Sequence, residues 1–177
     1  MKEDSYKDAI FLLNLQKHDL LNDLQLILSN VQLNNLPEAE KFVKKAVEVL
    51  KHKGTILKIV YPKLAISLLL QMKKAFDMNV PLTVECKSDL EYTHVDEDLL
   101  TSLLEKVWDE ILTSRLKFPP EEQVVNFILD SDDSFVFIGD DIKTHIEAAT
   151  IDELSILFAK IDYELICTDE VLRIAKV

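Results

Sequence analysis

The chain has 177 residues, 48% of them apolar, which is enough for the core of one medium domain or two small ones and excludes wholesale disorder. Its net charge of −12 argues against nucleic acid or an anionic membrane as the main partner. The charge is uneven: residues 1–80 hold 12 Lys/Arg against 9 Asp/Glu, and residues 81–177 hold 8 against 23.

Residues 4–80 read as helical. Ser5 is the expected cap of the first segment. Ile10, Leu13, Leu20, Leu24, Ile27, Leu28 and Val31 recur at helical spacing and fall within roughly 60° of Leu24 on the wheel. Leu12, Leu15, Leu26 and Leu33 form a thinner apolar stripe on the opposite side. A helix apolar on two sides packs against more than one neighbour or leaves a docking strip exposed. Asn34-Asn35-Leu36-Pro37 ends the pattern, and Pro37 with Glu38 and Glu40 suits the first turn of a second helix. Phe42, Ala46, Val49 and Leu50 give that helix an apolar face, and its end is expected at His52-Lys53-Gly54, with Gly54 as the cap. The short connection predicts an antiparallel hairpin. Such a hairpin cannot bury this much apolar face alone, so two copies are expected to pair into a four-helix bundle.

A boundary is expected near residues 56–62, separating a helical hairpin (1–56) from a second domain (62–177). Leu64–Phe76 reads as a helix and Val80–Cys86 as a strand. Asp98–Leu116 reads as a helix capped by Asp96. Val124–Leu129 and Phe135–Ile138 read as strands joined by the turn at 130–133. Ile151–Lys160 reads as a helix, followed by a hairpin of Tyr163–Cys167 and Val171–Ala175. The whole is therefore expected to be α+β, with helices on one face of a mixed or antiparallel sheet.

Several chemistries are excluded. The only glycines are Gly54 and Gly139, far apart, so there is no P-loop, Rossmann fingerprint or glycine-rich nucleotide lid. Cys86 and Cys167 fit no metal spacing and read as reduced, partly buried thiols. The longest apolar run, Leu64–Leu70, is far short of the roughly 20 residues of a membrane span. The acidic start, Met1-Lys2-Glu3-Asp4, lacks the layout of a signal peptide, so a cytoplasmic location is expected. His52 is expected near the last carbonyls of its helix, His94 in a loop and His145 near a helix start. Asp140-Asp141 reads as an acidic turn rather than a metal site.

One segment carries candidate chemistry: Lys17-His18-Asp19-Leu20-Leu21-Asn22-Asp23-Leu24-Gln25. On the wheel His18 lies about 120°, and Asn22 about 160°, from the centre of the main stripe. His18 is thus expected on the outside of the hairpin, with Asn22 one turn on. An exposed neutral imidazole is a competent nucleophile near neutral pH, and Asp19 is placed to fix its tautomer. By spacing alone, a surface histidine among polar neighbours reads first as ordinary solvated helix.

The pattern His-Asp, two residues, Asn, one residue, Leu-Gln resembles the sporulation initiation phosphotransferase B family and, more broadly, the helical hairpins of sensor histidine kinases of that type. The likeness extends through Leu26-Ile27, Asn30, Lys51-His52, Pro62-Lys63-Leu64-Ala65 and Leu82-Thr83-Val84-Glu85. It covers residues 10–90; beyond them it holds only in the order of elements. The resemblance implies a dimeric four-helix bundle with His18 as phosphoacceptor, Asp19 as its orienting acid and Asn22 shaping the site. It implies that a response regulator receiver domain docks beside the histidine, within reach of Leu15, Leu21 and Gln25. Leu21 reads equally as bundle core, and Gln25 as an ordinary solvated residue.

The second half resembles the ATP-binding α/β sandwich of histidine kinases in element order only. Lys106 and Glu110 stand where asparagines for Mg²⁺-ATP are expected, and Phe137-Ile138-Gly139-Asp140-Asp141 is the nearest trace of the missing glycine motif. This implies a degenerate domain. The expected function is an ATP-independent phosphorelay phosphotransferase with no cofactor or metal of its own, the Mg²⁺ belonging to the response regulator. The alternatives are a divergent ATP-binding histidine kinase and a non-catalytic dimer scaffold that binds response regulators.

Overall fold

The computed structural model describes residues 2–119 and 122–177; the side chains of residues 2–6, 8, 52 and 145 lie outside the description. The chain divides into two compact units, Met1–Gly54 and Thr55–Val177.

In the first unit, α1 (Lys2–Gln32) and α2 (Leu36–Ile56) are joined by residues 33–35. The turn is fixed by local hydrogen bonds. Asn34 takes the left-handed conformation, φ 54°. Its N–H donates to Val31 O at 3.0 Å, and the Asn35 N–H donates to Asn30 O at 2.8 Å. These two bonds satisfy carbonyls that the helix end leaves free, as a Schellman turn does. Pro37 then sits in the first turn of α2, where its missing N–H costs nothing.

Two expected caps fall elsewhere. α1 already begins at Lys2, so Ser5 lies inside it and is not its N-cap; the Ser5 side chain is outside the described residues. α2 runs through Gly54 to Ile56, and neither glycine has positive φ, so Gly54 is not a C-cap. The residues after Gly54 continue the helix, which removes the need for a left-handed turn there. The His52 side chain lies outside the described residues.

The second unit is a five-stranded mixed sheet with helices. Its elements are α3 (Pro62–Asp77), β1 (Leu82–Cys86), α4 (Glu97–Arg115), β2 (Val125–Leu129), β3 (Phe135–Ile138), α5 (Ile142–His145), α6 (Ala148–Ala159), β4 (Tyr163–Cys167) and β5 (Val171–Lys176). The strand order is β1-β2-β3-β5-β4. β1 and β2 are parallel, with Leu82 opposite Val125, and α4 makes the crossover that a parallel pair requires. The other pairs are antiparallel.

Alternation builds the core. Val125, Phe127, Leu129, Phe135, Phe137, Leu172 and Ile174 are buried, while their in-between neighbours are at least partly open. α4 lays Leu100, Leu103, Leu104, Val107, Trp108, Ile111 and Leu112 against this face at helical spacing. Trp108 packs 5.0 Å from Phe127 and 4.8 Å from Phe137, centroid to centroid, and the two phenylalanines lie 4.9 Å apart. Asp96 caps α4 by accepting from Leu99 N–H at 2.9 Å. α3 ends as α1 does: Asn79 is left-handed, and Val80 N–H donates to Ala75 O at 2.9 Å. That bond ties Val80 to the helix, so β1 starts at Leu82 rather than Val80. The short α5 was not expected from the pattern; His145 ends it, three residues before α6 begins at Ala148.

Arg115 is fully buried at the end of α4. Its guanidinium donates through Nη1 to Asp140 O at 2.6 Å and stacks 4.4 Å from the Phe118 ring centroid. Burial pulls its pKa down, and Asp140 and Asp141 oppose that. Gly139 is needed for this approach. A Cβ there would stand 3.0 Å from Val124 O and 3.3 Å from Arg115 Nη1. Around Gly54 nothing lies within 4 Å of such a Cβ. Gly139→Ala should therefore destabilise the chain by about 1–3 kcal/mol, read as a lower urea midpoint. Gly54→Ala, inside an exposed helix, should raise stability by about 0.5 kcal/mol in the same assay.

Candidate functional site

α1 carries six candidate residues on one side. Taking His18 as the reference and 100° per residue, Asn22 lies at about +40°, Leu15 at about +60°, Gln25 at about −20°, Leu21 at about −60° and Asp19 at about +100°. They stand at helical neighbour spacings of His18, except the sequence neighbour Asp19. His18, Asn22 and Gln25 are exposed, Leu21 is half exposed and Leu15 is partly buried.

Among the described residues, the imidazole is hydrogen-bonded to Asn22. Its Nδ1 lies 3.1 Å from the Asn22 side-chain amide nitrogen. The Asp19 carboxylate is instead paired across the hairpin, its Oδ2 lying 3.9 Å from Lys53 Nζ on α2. The pair joins residues 34 apart in sequence, as antiparallel helices require. Lys53 was not among the residues picked out from the sequence, yet a signal was there. Ala39, Ala46 and Lys53 recur every seven residues, and Ala39 is buried. A lysine that continues an apolar seam needs an acidic partner across it.

The main apolar stripe of α1 stays open in the single chain. Ile10, Leu13, Leu20, Leu24, Leu28 and Val31 are all exposed, Leu24 by 51%. On α2, Leu36, Val43, Val47 and Leu50 are exposed as well. The wheel places the open stripe about 130° from Leu12 and Asp19 on α1 and about 70° from Ala39, Ala46 and Lys53 on α2, and antiparallel chain directions bring the two stripes to the same side. His18 falls on the other side. Of the second stripe of α1, Leu12 is buried, whereas Leu26 and Leu33 are exposed.

In the second unit, Lys106 pairs with Glu153 of α6 at 3.9 Å. Its neighbours on the helix are tied to α3: Ser67 Oγ donates to Glu105 at 2.7 Å, Lys74 pairs with Asp109 at 2.6 Å, and Lys63 pairs with Asp98. The outward side of α4 thus carries cross-helix polar pairs. The Phe137–Asp141 segment is held by Arg115, as described above. Among the described residues, no group of three or more His, Cys, Asp and Glu gathers as a metal site would need. His94 is exposed in a loop, and the His145 side chain lies outside the described residues. No described helix is long and apolar enough to cross a membrane.

Both thiols are partly buried. Burial, with Glu85 beside it, pushes the Cys86 thiol up to about 11, and burial also raises Cys167.

Residues 1–59 match the family model described as Sensor kinase SpoOB-type, alpha-helical domain. No curated protein matches the chain.

Two measurements follow from this geometry. The Asp19–Lys53 pair is long and its carboxylate is half exposed, so Lys53→Met should change stability by less than about 0.5 kcal/mol in urea unfolding. With its thiol at about 11, Cys86 should be alkylated at pH 8 roughly a hundredfold more slowly than a free cysteine. The rate should climb with pH until the thiolate dominates, as peptide mapping of the alkylated chain will show.

Proposed function

We propose that this chain, whose first 59 residues form a SpoOB-type alpha-helical domain, is an ATP-independent phosphorelay phosphotransferase. A phosphorylated response regulator docks on the hairpin and His18 takes its phosphoryl group. The phosphohistidine then donates to a second regulator. Attack is in line through a loose, metaphosphate-like transition state, for which the protein supplies mainly a positioned nucleophile. The Mg²⁺ and the acidic pocket belong to the regulator.

The observation that carries this reading is the division of α1 into two faces. An exposed imidazole stands on one side, and the open apolar stripe lies on the other. A second copy covering the stripe would leave His18 in solvent, accessible to a visiting domain. Each half-exposed leucine so covered would contribute about 1 kcal/mol. Leu15, Leu21 and Gln25 flank His18 and are the proposed regulator contacts, with Leu21 at the margin between the two faces. The hairpin's near balance of charge suits an acidic partner better than the acidic second unit does. That second unit is proposed to be a degenerate ATPase-like domain, because Lys106 and Glu110 replace amides and the glycine motif is absent.

Phosphorylated receiver domains, mixed with the chain without ATP, should pass their label to it. His18→Gln should abolish this transfer while leaving the oligomeric state unchanged. Acid-labile label persisting on the variant would falsify the assignment of His18. Leu24→Glu should weaken self-association by about 3 kcal/mol or more, giving monomers in analytical ultracentrifugation. Tight binding in a direct ATP titration would instead favour a kinase.

A further inference from the structure

The sheet of the second unit ends on β4, which among the described residues pairs with β5 and has no strand on its other side. In an antiparallel pair, residues that bond the partner strand alternate with residues whose N–H and C=O point away from it. Asp162 O accepts from Val177 N–H at 2.9 Å, and Thr168 N–H donates to Val171 O at 2.8 Å. These bonds fix the phase. Glu164 and Ile166 bond β5, and the backbone groups of Tyr163, Leu165 and Cys167 point to the free edge. Tyr163 is almost wholly covered, so the open stretch of edge runs from Leu165 to Cys167. Proteins commonly blunt such edges with proline, lysine or a bulge. β4 holds neither proline nor lysine, its register with β5 is unbroken, and its only charge is Glu164. A groove of about 440 Å³ opens between α6 and the first half of β4. Ser155 and Ala159 line it from α6, with Tyr163 and Leu165 from β4; the charged residues lining it, Asp162 and Glu164, are both acidic. Ile156, one turn from Ala159 on α6, is exposed. Such a volume takes a few side chains rather than a domain.

We propose that the free edge of β4 docks an extended basic segment of a partner protein, which joins the sheet beyond β4. The Leu165 and Cys167 backbones supply the hydrogen bonds, and side chains choose the segment. A residue opposite Leu165 falls on the α6 side, where a small or apolar side chain enters the groove. A residue opposite Glu164 falls on the other face, where Lys or Arg is favoured. The segment chosen therefore alternates apolar and basic residues. Charge argues against a second copy of this chain as the occupant. Residues 148–177 carry 6 Asp/Glu against 3 Lys/Arg, and one of those cations, Arg173, is already paired with Asp132. Pairing β4 with β4 would gather Asp162 and Glu164 of both copies in one place. The same carboxylates attract a basic strand, so they select the partner and repel the copy. This site lies in the second unit and does not depend on the role of His18 in the first.

The test uses the ¹⁵N-labelled full chain and a blocked peptide of alternating valine and lysine, with amide hydrogen exchange read by NMR. In the free chain, the Leu165 and Cys167 amides should exchange faster than those of Glu164 and Ile166, which are bonded to β5. Peptide at about 1 mM should slow the Leu165 and Cys167 amides roughly tenfold or more. A valine–glutamate peptide should bind at least about tenfold more weakly. N-methylation of one alternate set of peptide nitrogens should abolish binding, and N-methylation of the other set should leave it, because only one set faces β4. Glu164 is exposed, so Glu164→Lys should keep the parent fold while weakening the basic peptide about fivefold or more, an effect that shrinks in high salt. Equal loss from both methylated sets, equal binding of the acidic peptide, or slowed exchange confined to other elements would overturn the proposal. Slow exchange of Leu165 and Cys167 without peptide, relieved by dilution, would also overturn it, because a second copy would then occupy the edge.

Discussion

A two-helix hairpin that buries only Leu12, Ala39 and Ile56 among its described apolar side chains has almost no core of its own. Isolated helices gain most of their stability by packing an amphipathic face, and here that face is open along both helices. The seam between α1 and α2 holds small residues and an ion pair, Ala39 with Asp19 and Lys53. These set how the helices run but contribute little burial. The hairpin therefore leaves an apolar face that its own two helices do not cover, and this constraint orders everything else about α1. If the leucine stripe is reserved for packing, chemistry is confined to the remaining arc of the helix. His18 and Asn22 occupy that arc.

The second unit is built the other way. Its stability is internal, with Trp108 wedged between Phe127 and Phe137 and a sheet face lined by alternate apolar residues. Its one fully buried charge among the described residues, Arg115, bonds the Asp140 carbonyl and stacks on Phe118, and the negative charges of Asp140 and Asp141 favour its charged form. Such a group is costly to desolvate, and it ties the end of α4 to the turn that follows Gly139, at Asp140. The polar pairs on the outward side of α4 are exposed and individually weak. They are more informative about what α4 carries than about what holds it.

The chain turns its corners almost without glycine. Left-handed φ values fall on Asn34, Asn79, Leu90, Asp133, Asp141 and Asp162, and on neither glycine. Asparagine and aspartate tolerate this region because their short polar side chains bond locally. Reading Gly54 as a helix cap followed the common preference and missed, because α2 runs on through Thr55 to the buried Ile56. Reading Asn34-Asn35 as a break succeeded, because an asparagine cap and a following proline agree.

What the sequence determined by itself was periodicity. Period 3.6 over 10–31 and period 2 over 125–138 placed the helices, the strands and the side of α1 on which His18 stands, because side-chain direction follows from backbone repeat alone. It also supplied the Asp96 cap and the βαβ order that allows β1 and β2 to be parallel. Only the tertiary structure decided the pairings between distant residues. The sequence favoured Asp19 as the partner of the imidazole, since the two are adjacent. Adjacent residues on a helix point about 100° apart, so Asp19 turned to Lys53 and the ring was left to Asn22. The strand order β1-β2-β3-β5-β4 and the approach of Arg115 to Gly139 likewise arise from chain segments meeting in space, and local propensity carries no information about such meetings.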